Sequence, residues 1–147
     1  MLLIGTKNVT SQDVLANGTI DVGSVYRKYC KKCPCGLPTF TTTSNGITLN
    51  GQGVYHLTAT FVGTATEEGD VTIQLLVNGE AIPAVLSTET ITTADTEFRT
   101  FVIDYYILVD SACLLNTPST LAKTISFQNT GVDATFTSVI VNVSKEV

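Results

Sequence analysis

Two alternating runs meet at Asn78-Gly79, and no other stretch limits the fold so tightly. Val71-Thr-Ile-Gln-Leu75 alternates apolar with polar and continues through Leu76 and Val77; Ala81-Ile-Pro-Ala-Val-Leu86 follows the dipeptide directly. A period of two sends successive side chains to opposite faces of a strand. Asn-Gly accepts the positive φ that a two-residue hairpin turn needs at both central positions, so the stretch reads as a β-hairpin. Pro83 has no N–H to offer a neighbour, which places the second strand at a sheet edge or at a bulge.

Similar runs recur along the chain. Thr19 to Tyr29 alternates imperfectly, and Thr39 to Thr43 and Ile47 to Leu49 flank the turn signal Ser44-Asn45-Gly46. From Val54 to Val62, Tyr55, Leu57, Ala59 and Phe61 share one face and His56, Thr58 and Thr60 the other. Phe98 to Val109 is apolar on both faces and is expected to be covered on both. Lys123 to Gln128 and Ala134 to Val143 read as a last pair joined through Asn129-Thr-Gly131. Turn signals at such spacing, with Thr, Val and Ile abundant and helical periodicity almost absent, point to an all-β sandwich or jelly roll.

Composition narrows the function. Only 14% of residues are charged, against roughly a quarter in an average soluble domain, and mean hydropathy is +0.28. No run approaches the ~18 apolar residues of a membrane helix, and no membrane partner is expected. A weakly charged apolar chain of this kind suggests a surface hidden in an oligomer. The net charge of −5 argues against a nucleic-acid partner. Arg27, Lys28, Lys31 and Lys32 hold four of the eight basic residues, leaving four against 13 acids elsewhere. The cluster is a candidate docking surface or a solvated loop. The amino terminus lacks the basic lead of a secretory signal, so synthesis in a reducing cytosol is expected, with the four cysteines as thiols at first.

Chemistry-bearing candidates are few. Cys30, Cys33 and Cys35 have spacings that can wrap a zinc ion, with Cys113 or His56 as a fourth ligand, but a second CxxC is missing. Free thiols and a disulfide formed after release are the other readings. His56 is the one histidine, and it sits in mid-strand, away from any nucleophile turn. Glu67, Glu68 and Asp70 read as solvated loop charge without the EF-hand pattern. No phosphate-loop, dinucleotide or zinc-protease motif occurs. A non-enzymatic protein with no cofactor is expected.

The run Ile47-Thr-Leu-Asn-Gly-Gln-Gly-Val-Tyr-His-Leu-Thr-Ala-Thr-Phe61 resembles a signature of the tumour-necrosis-factor and complement-globular-head superfamily, in which Gly-x-Tyr (here Gly53-Val-Tyr55) opens an inner strand. Val71 to Gly79 and Ile125 to Val143 are similar to later strands of that family. Ile20 to Tyr29, Cys33 to Phe40 and Glu89 to Arg99 resemble small virion proteins of phages and prophages of Gram-positive bacteria, such as capsid decorations or head fibres. The likeness covers roughly 19–147, a single jelly-roll domain, and leaves 1–18 as an N-terminal anchor or flexible arm. It implies an antiparallel jelly-roll homotrimer with Val54 to Val62 near the threefold axis, and Tyr55, His56, Thr58 and Thr60 as candidate interface residues. It also implies location on a virion made in a bacterial host cytoplasm, other virion proteins as partners, and host-surface polysaccharide as a candidate ligand. The alternative is a bacterial surface or spore-coat interaction domain of the same fold.

Overall fold

The alternation along Val54 to Val62 decides where the core lies. Tyr55, Leu57, Ala59 and Phe61 are fully buried, whereas His56, Thr58 and Thr60 stay half-buried on the opposite face. The computed structural model describes residues 2–29, 38–110 and 122–147, and the backbone alone at 113–114 and 117–118. Its strands in chain order are β1 (Leu2–Asn8), β2 (Gln12–Val14), β3 (Ser24–Tyr29), β4 (Phe40–Thr43), β5 (Gly46–Leu49), β6 (Gly53–Ala65), β7 (Gly69–Val77), β8 (Glu80–Ile91), β9 (Arg99–Val109), β10 (Cys113–Leu114), β11 (Thr117–Pro118), β12 (Lys123–Asn129) and β13 (Ala134–Lys145).

Two antiparallel sheets face each other. The first runs β3-β1-β13-β6-β9, with β2 also on β13; the second runs β4-β5-β12-β7-β8, and β10 with β11 stands apart. Between β5 and β13 the chain passes repeatedly from one sheet to the other, which is how a jelly roll wraps. Phenylalanines fill the space between. Phe61 on β6 meets Phe127 on β12 edge to face at 5.0 Å, and Phe136 lies 6.3 Å from Phe61 and 6.2 Å from Phe101. Such pairs contribute about 0.5–1.5 kcal/mol each beyond the burial of their area. Tyr55 caps this row against Phe40 at 5.8 Å and donates its hydroxyl to the Gly51 carbonyl.

The hairpin forms as its sequence dictates: Asn78 and Gly79 take φ of 52° and 81° and join β7 to β8. Pro83 does lie on an edge strand, at a bulge where pairing passes from Leu76↔Ala81 to Gln74↔Leu86. The Gln74 amide spans the bulge, donating to the carbonyls of Ile82 at 2.8 Å and Val85 at 3.1 Å.

Four expectations need correction. Residues 2–8 are no free arm, because β1 lies between β3 and β13 with Ile4 and Thr6 buried; β2 also pairs with β13. The short Leu2–Ile4–Thr6 face was too brief to stand out as a strand. Regular pairing in the Thr19 to Tyr29 run starts only at Ser24, because the stretch before it crosses between sheets. There Thr19 bridges Gln128, the Ile20 N–H donates to Phe127, and the Val22 N–H donates to Ser44. β12 and β13 do not pair with each other but lie in opposite sheets. Finally, β9 is an edge strand covered on one face only: Phe101, Ile103, Ile107 and Val109 are buried, but Val102, Tyr106 and Leu108 are 54%, 58% and 52% exposed.

The β8–β9 connection closes around one carboxylate. Glu97 accepts N–H bonds from Thr92 at 2.6 Å and Thr93 at 3.1 Å, and it also pairs with Arg99. The backbone bonds from Thr92 and Thr93, then the Arg99 and Thr92 side chains, lower its pKa to about 2. A carboxyl depressed in the folded state supports the loop fully above its ordinary value of 4.5. That support is lost as pH falls through about 2. An NMR titration should therefore show Glu97 and the Thr92 and Thr93 amides moving together with a midpoint near 2; a midpoint near 4.5 would mean that the loop is not closed this way.

Candidate interaction face

The outer face of the first sheet is set by register. Across it, Val102, Thr60, Ile140, Lys7 and Ser24 form one row. Asp104, Thr58, Asn142, Gly5 and Arg27 form the next, and Tyr106, His56, Ser144, Leu3 and Tyr29 the third. The middle strands of this face, β6 and β13, contribute Thr58, Thr60, His56, Ile140, Asn142 and Ser144, with no formal charge beyond what His56 can carry. Among the described residues, charge lies on the two flanks and at one end of the face, where Glu146 follows β13.

On the β9 flank, His56 Nε2 lies 2.8 Å from Asp104 Oδ1, and its ring stacks on Tyr106 at 4.5 Å with the planes 10° apart. Its Nδ1 is 3.9 Å from Glu146 Oε1. Ser144 stands opposite His56, but its hydroxyl donates to Glu146 Oε1 at 2.8 Å. The Ser144 proton is thus directed at a carboxylate and not at the imidazole. The cluster holds an aromatic ring and an imidazole stacked face to face on the outer side of the sheet.

On the other flank, Tyr26 lies over Gly5, where an added Cβ would come within 2.7 Å of both its ring and Asn142 Oδ1. Glycine is therefore what lets the ring approach. Tyr26 donates its hydroxyl to Asn142 Oδ1 at 2.7 Å, and Arg27 donates to the same oxygen at 3.2 Å. Lys7 and Arg27 sit 5.5 Å and 5.4 Å from the Tyr26 ring centre, within cation–π range.

The residues singled out in the sequence divide accordingly. His56, Thr58 and Thr60 do come together on this face. Tyr55 does not: as an interface candidate it is corrected, because β6 alternates and its ring belongs to the core. Arg27 and Lys28 are exposed on β3. Lys28 pairs with the inward-facing Ile4 position, so it points away from the face that Arg27 shares. Lys31, Lys32, Cys30, Cys33 and Cys35 lie outside the described residues, as does the Cys113 side chain. Sequence reading missed Val102, Asp104, Tyr106, Leu108 and Tyr26. The signal for three of them was present, since Phe98 to Val109 is apolar on both faces.

Elsewhere the surface offers less. Among the described residues no group of three His, Cys, Asp or Glu side chains gathers as metal ligands would. An open groove of about 600 Å³ beside β1 and β2 is lined by residues including Asn8, Gln12, Asp21 and Ser24. Its polar groups serve one another: Gln12 exchanges bonds with the Asp21 backbone at 2.9 Å both ways, and Asn8 donates to the same carbonyl at 3.3 Å.

No protein-family model and no curated sequence matches the chain. Solved structures do resemble it over its whole length. The globular domain of zebrafish complement 1qA protein aligns with a TM-score of 0.63 at 6% identity, over 100% of this chain and 98% of that one. The Eiger tumour necrosis factor of S. frugiperda gives 0.69 at 10% identity, over 100% and 94%. The PRD1 vertex protein P5 gives 0.54 at 14% identity, over 99% and 97%. At such identities the likeness establishes the fold, which is the tumour-necrosis-factor and complement jelly roll.

Proposed function

We propose that the chain is a non-enzymatic structural protein of a phage particle, assembled as a homotrimer through the outer face of the β3-β1-β13-β6-β9 sheet. The observation that carries this reading is that face itself. It exposes Val102, Tyr106, Leu108 and Ile140 around uncharged Thr58 and Thr60. Large apolar side chains gathered at this exposure on one face suit a contact with another surface. The resemblance drawn from the sequence implies a trimer built on this strand. The virion reading is supported by the full-length likeness to a vertex protein, and by the run-by-run resemblance to phage surface proteins. In this reading Lys28, Lys31 and Lys32 dock on an acidic partner such as another virion protein or a cell-wall polysaccharide.

The assembly is tested by placing a charge on the face. Three like charges brought into a partly dry interface repel, at a cost on the order of several kcal/mol per trimer. Thr58→Asp should therefore lower the trimer fraction and the melting temperature, whereas Thr66→Asp, in the exposed β6–β7 turn, should leave both nearly unchanged. Equal trimer content and heat stability in the two variants would remove β6 from the interface.

Docking is tested separately. Replacing Lys28, Lys31 and Lys32 with Gln should change stability by no more than about 0.5 kcal/mol, the usual range for exposed charges. Binding to particles or cells should fall, and wild-type binding should weaken as salt rises. Unchanged binding of the variant at low salt would show that these lysines are only solvated.

A further inference from the structure

The outer face has an acidic flank and a basic flank, and the two are joined by register. Asp104 and Arg27 end one row, with Thr58, Asn142 and Gly5 between them. Four strand spacings of about 4.8 Å put the two ends roughly 19 Å apart. Both ends are exposed, and the Asp104 side chain is 57% accessible. Among the described residues, neither end is fully engaged at home. His56 uses one carboxylate oxygen of Asp104, and Arg27 gives one N–H to Asn142 out of the five a guanidinium carries. Among the described residues no carboxylate of its own chain lies within ion-pair distance of Arg27.

Such a face cannot pair well with itself about a twofold axis that sets flank on like flank, because acid would meet acid. It fits a second copy head to tail, the β9 flank of one protomer against the β3 flank of the next. A ring closes only when successive copies are related by pure rotation, since any translation along the axis produces a filament. Groups that meet across a closed ring must therefore sit at one height. With the axis along the strands, a single row supplies equal heights, and Asp104 and Arg27 share one. The neighbouring row matches too, ending in Tyr106 on one side and Tyr29 on the other.

We propose that Asp104 of one protomer pairs with Arg27 of the next, and that this contact, repeated around the axis, fixes the direction and closure of the trimer. The inference rests on the trimer reading and names the contact that reading leaves open. It also divides the basic cluster: Arg27 belongs to the ring, and Lys28 points away from it.

The test is a charge swap followed by sedimentation over a range of concentrations. Asp104→Arg and Arg27→Asp should each weaken a junction about tenfold or more, since like charges face each other. The double variant carrying both changes should recover trimerisation to within about threefold of wild type. If either single variant does not stay soluble, Asp104→Asn and Arg27→Gln read the same coupling. Each should weaken assembly and reduce its salt sensitivity, and the neutral double should be no worse than either single. Singles that leave the trimer intact, a double that is not rescued, or neutral effects that simply add would overturn the pairing while the trimer stands. A wild-type chain that is monomeric at every concentration would instead overturn the trimer.

Discussion

Phe61 against Phe127 is the contact on which the rest of the structure depends. It joins β6 to β12 and so holds the two sheets face to face, with Phe101 and Phe136 packed around it. Strands have a period of two, so fixing Phe61 inward also fixes the direction of every other side chain on β6. A slip of one residue would expose the whole buried set. Thr60, Thr58 and His56 are outward for that reason alone. Through the registers of β9 and β13, the same commitment turns Val102, Asp104, Tyr106, Ile140 and Asn142 outward. One apolar contact in the core therefore writes the pattern on the surface.

That surface is organised as a band. Its centre is made of hydroxyls, an amide and scattered apolar groups, and its flanks carry the charge. His56 stacks flat on Tyr106 and bonds Asp104, while Tyr26 lies over Gly5 and gathers Lys7, Arg27 and Asn142. Both arrangements hold exposed side chains in fixed contacts with their neighbours on the sheet. A low-charge band with opposite charges at its edges suits contact with another protein surface.

Much of this was legible in the sequence. Alternation placed Tyr55, Leu57, Ala59 and Phe61 on one side of β6, and Asn78-Gly79 with Pro83 announced a hairpin with a bulged edge strand. What failed was mostly long-range. Whether β12 and β13 pair depends on which sheet each joins, and no local pattern encodes that. Residues 2–8 looked like an arm because so short a run shows its alternation only once β13 and β3 lie beside it. Tyr55 shares a sequence run with the outward residues His56, Thr58 and Thr60, but the alternation of β6 places it inward. The β9 run is apolar on both faces, which implies cover on both, yet its second face is exposed in the single chain. Arg27 and Asp104 could not be linked from sequence, because their shared row is a product of four strand pairings.

The central claim is that the outer face of the first sheet is covered by another copy of the chain. Hydroxyl-radical footprinting of the native protein tests it through two aromatics of similar exposure in the single chain, Tyr106 at 58% on the face and Phe98 at 49% just before β9. Coverage of the face predicts that Tyr106 is protected while Phe98 is oxidised, and that Tyr106 becomes reactive when the assembly is diluted apart. Equal oxidation of Tyr106 and Phe98 in the native protein at every concentration would contradict it.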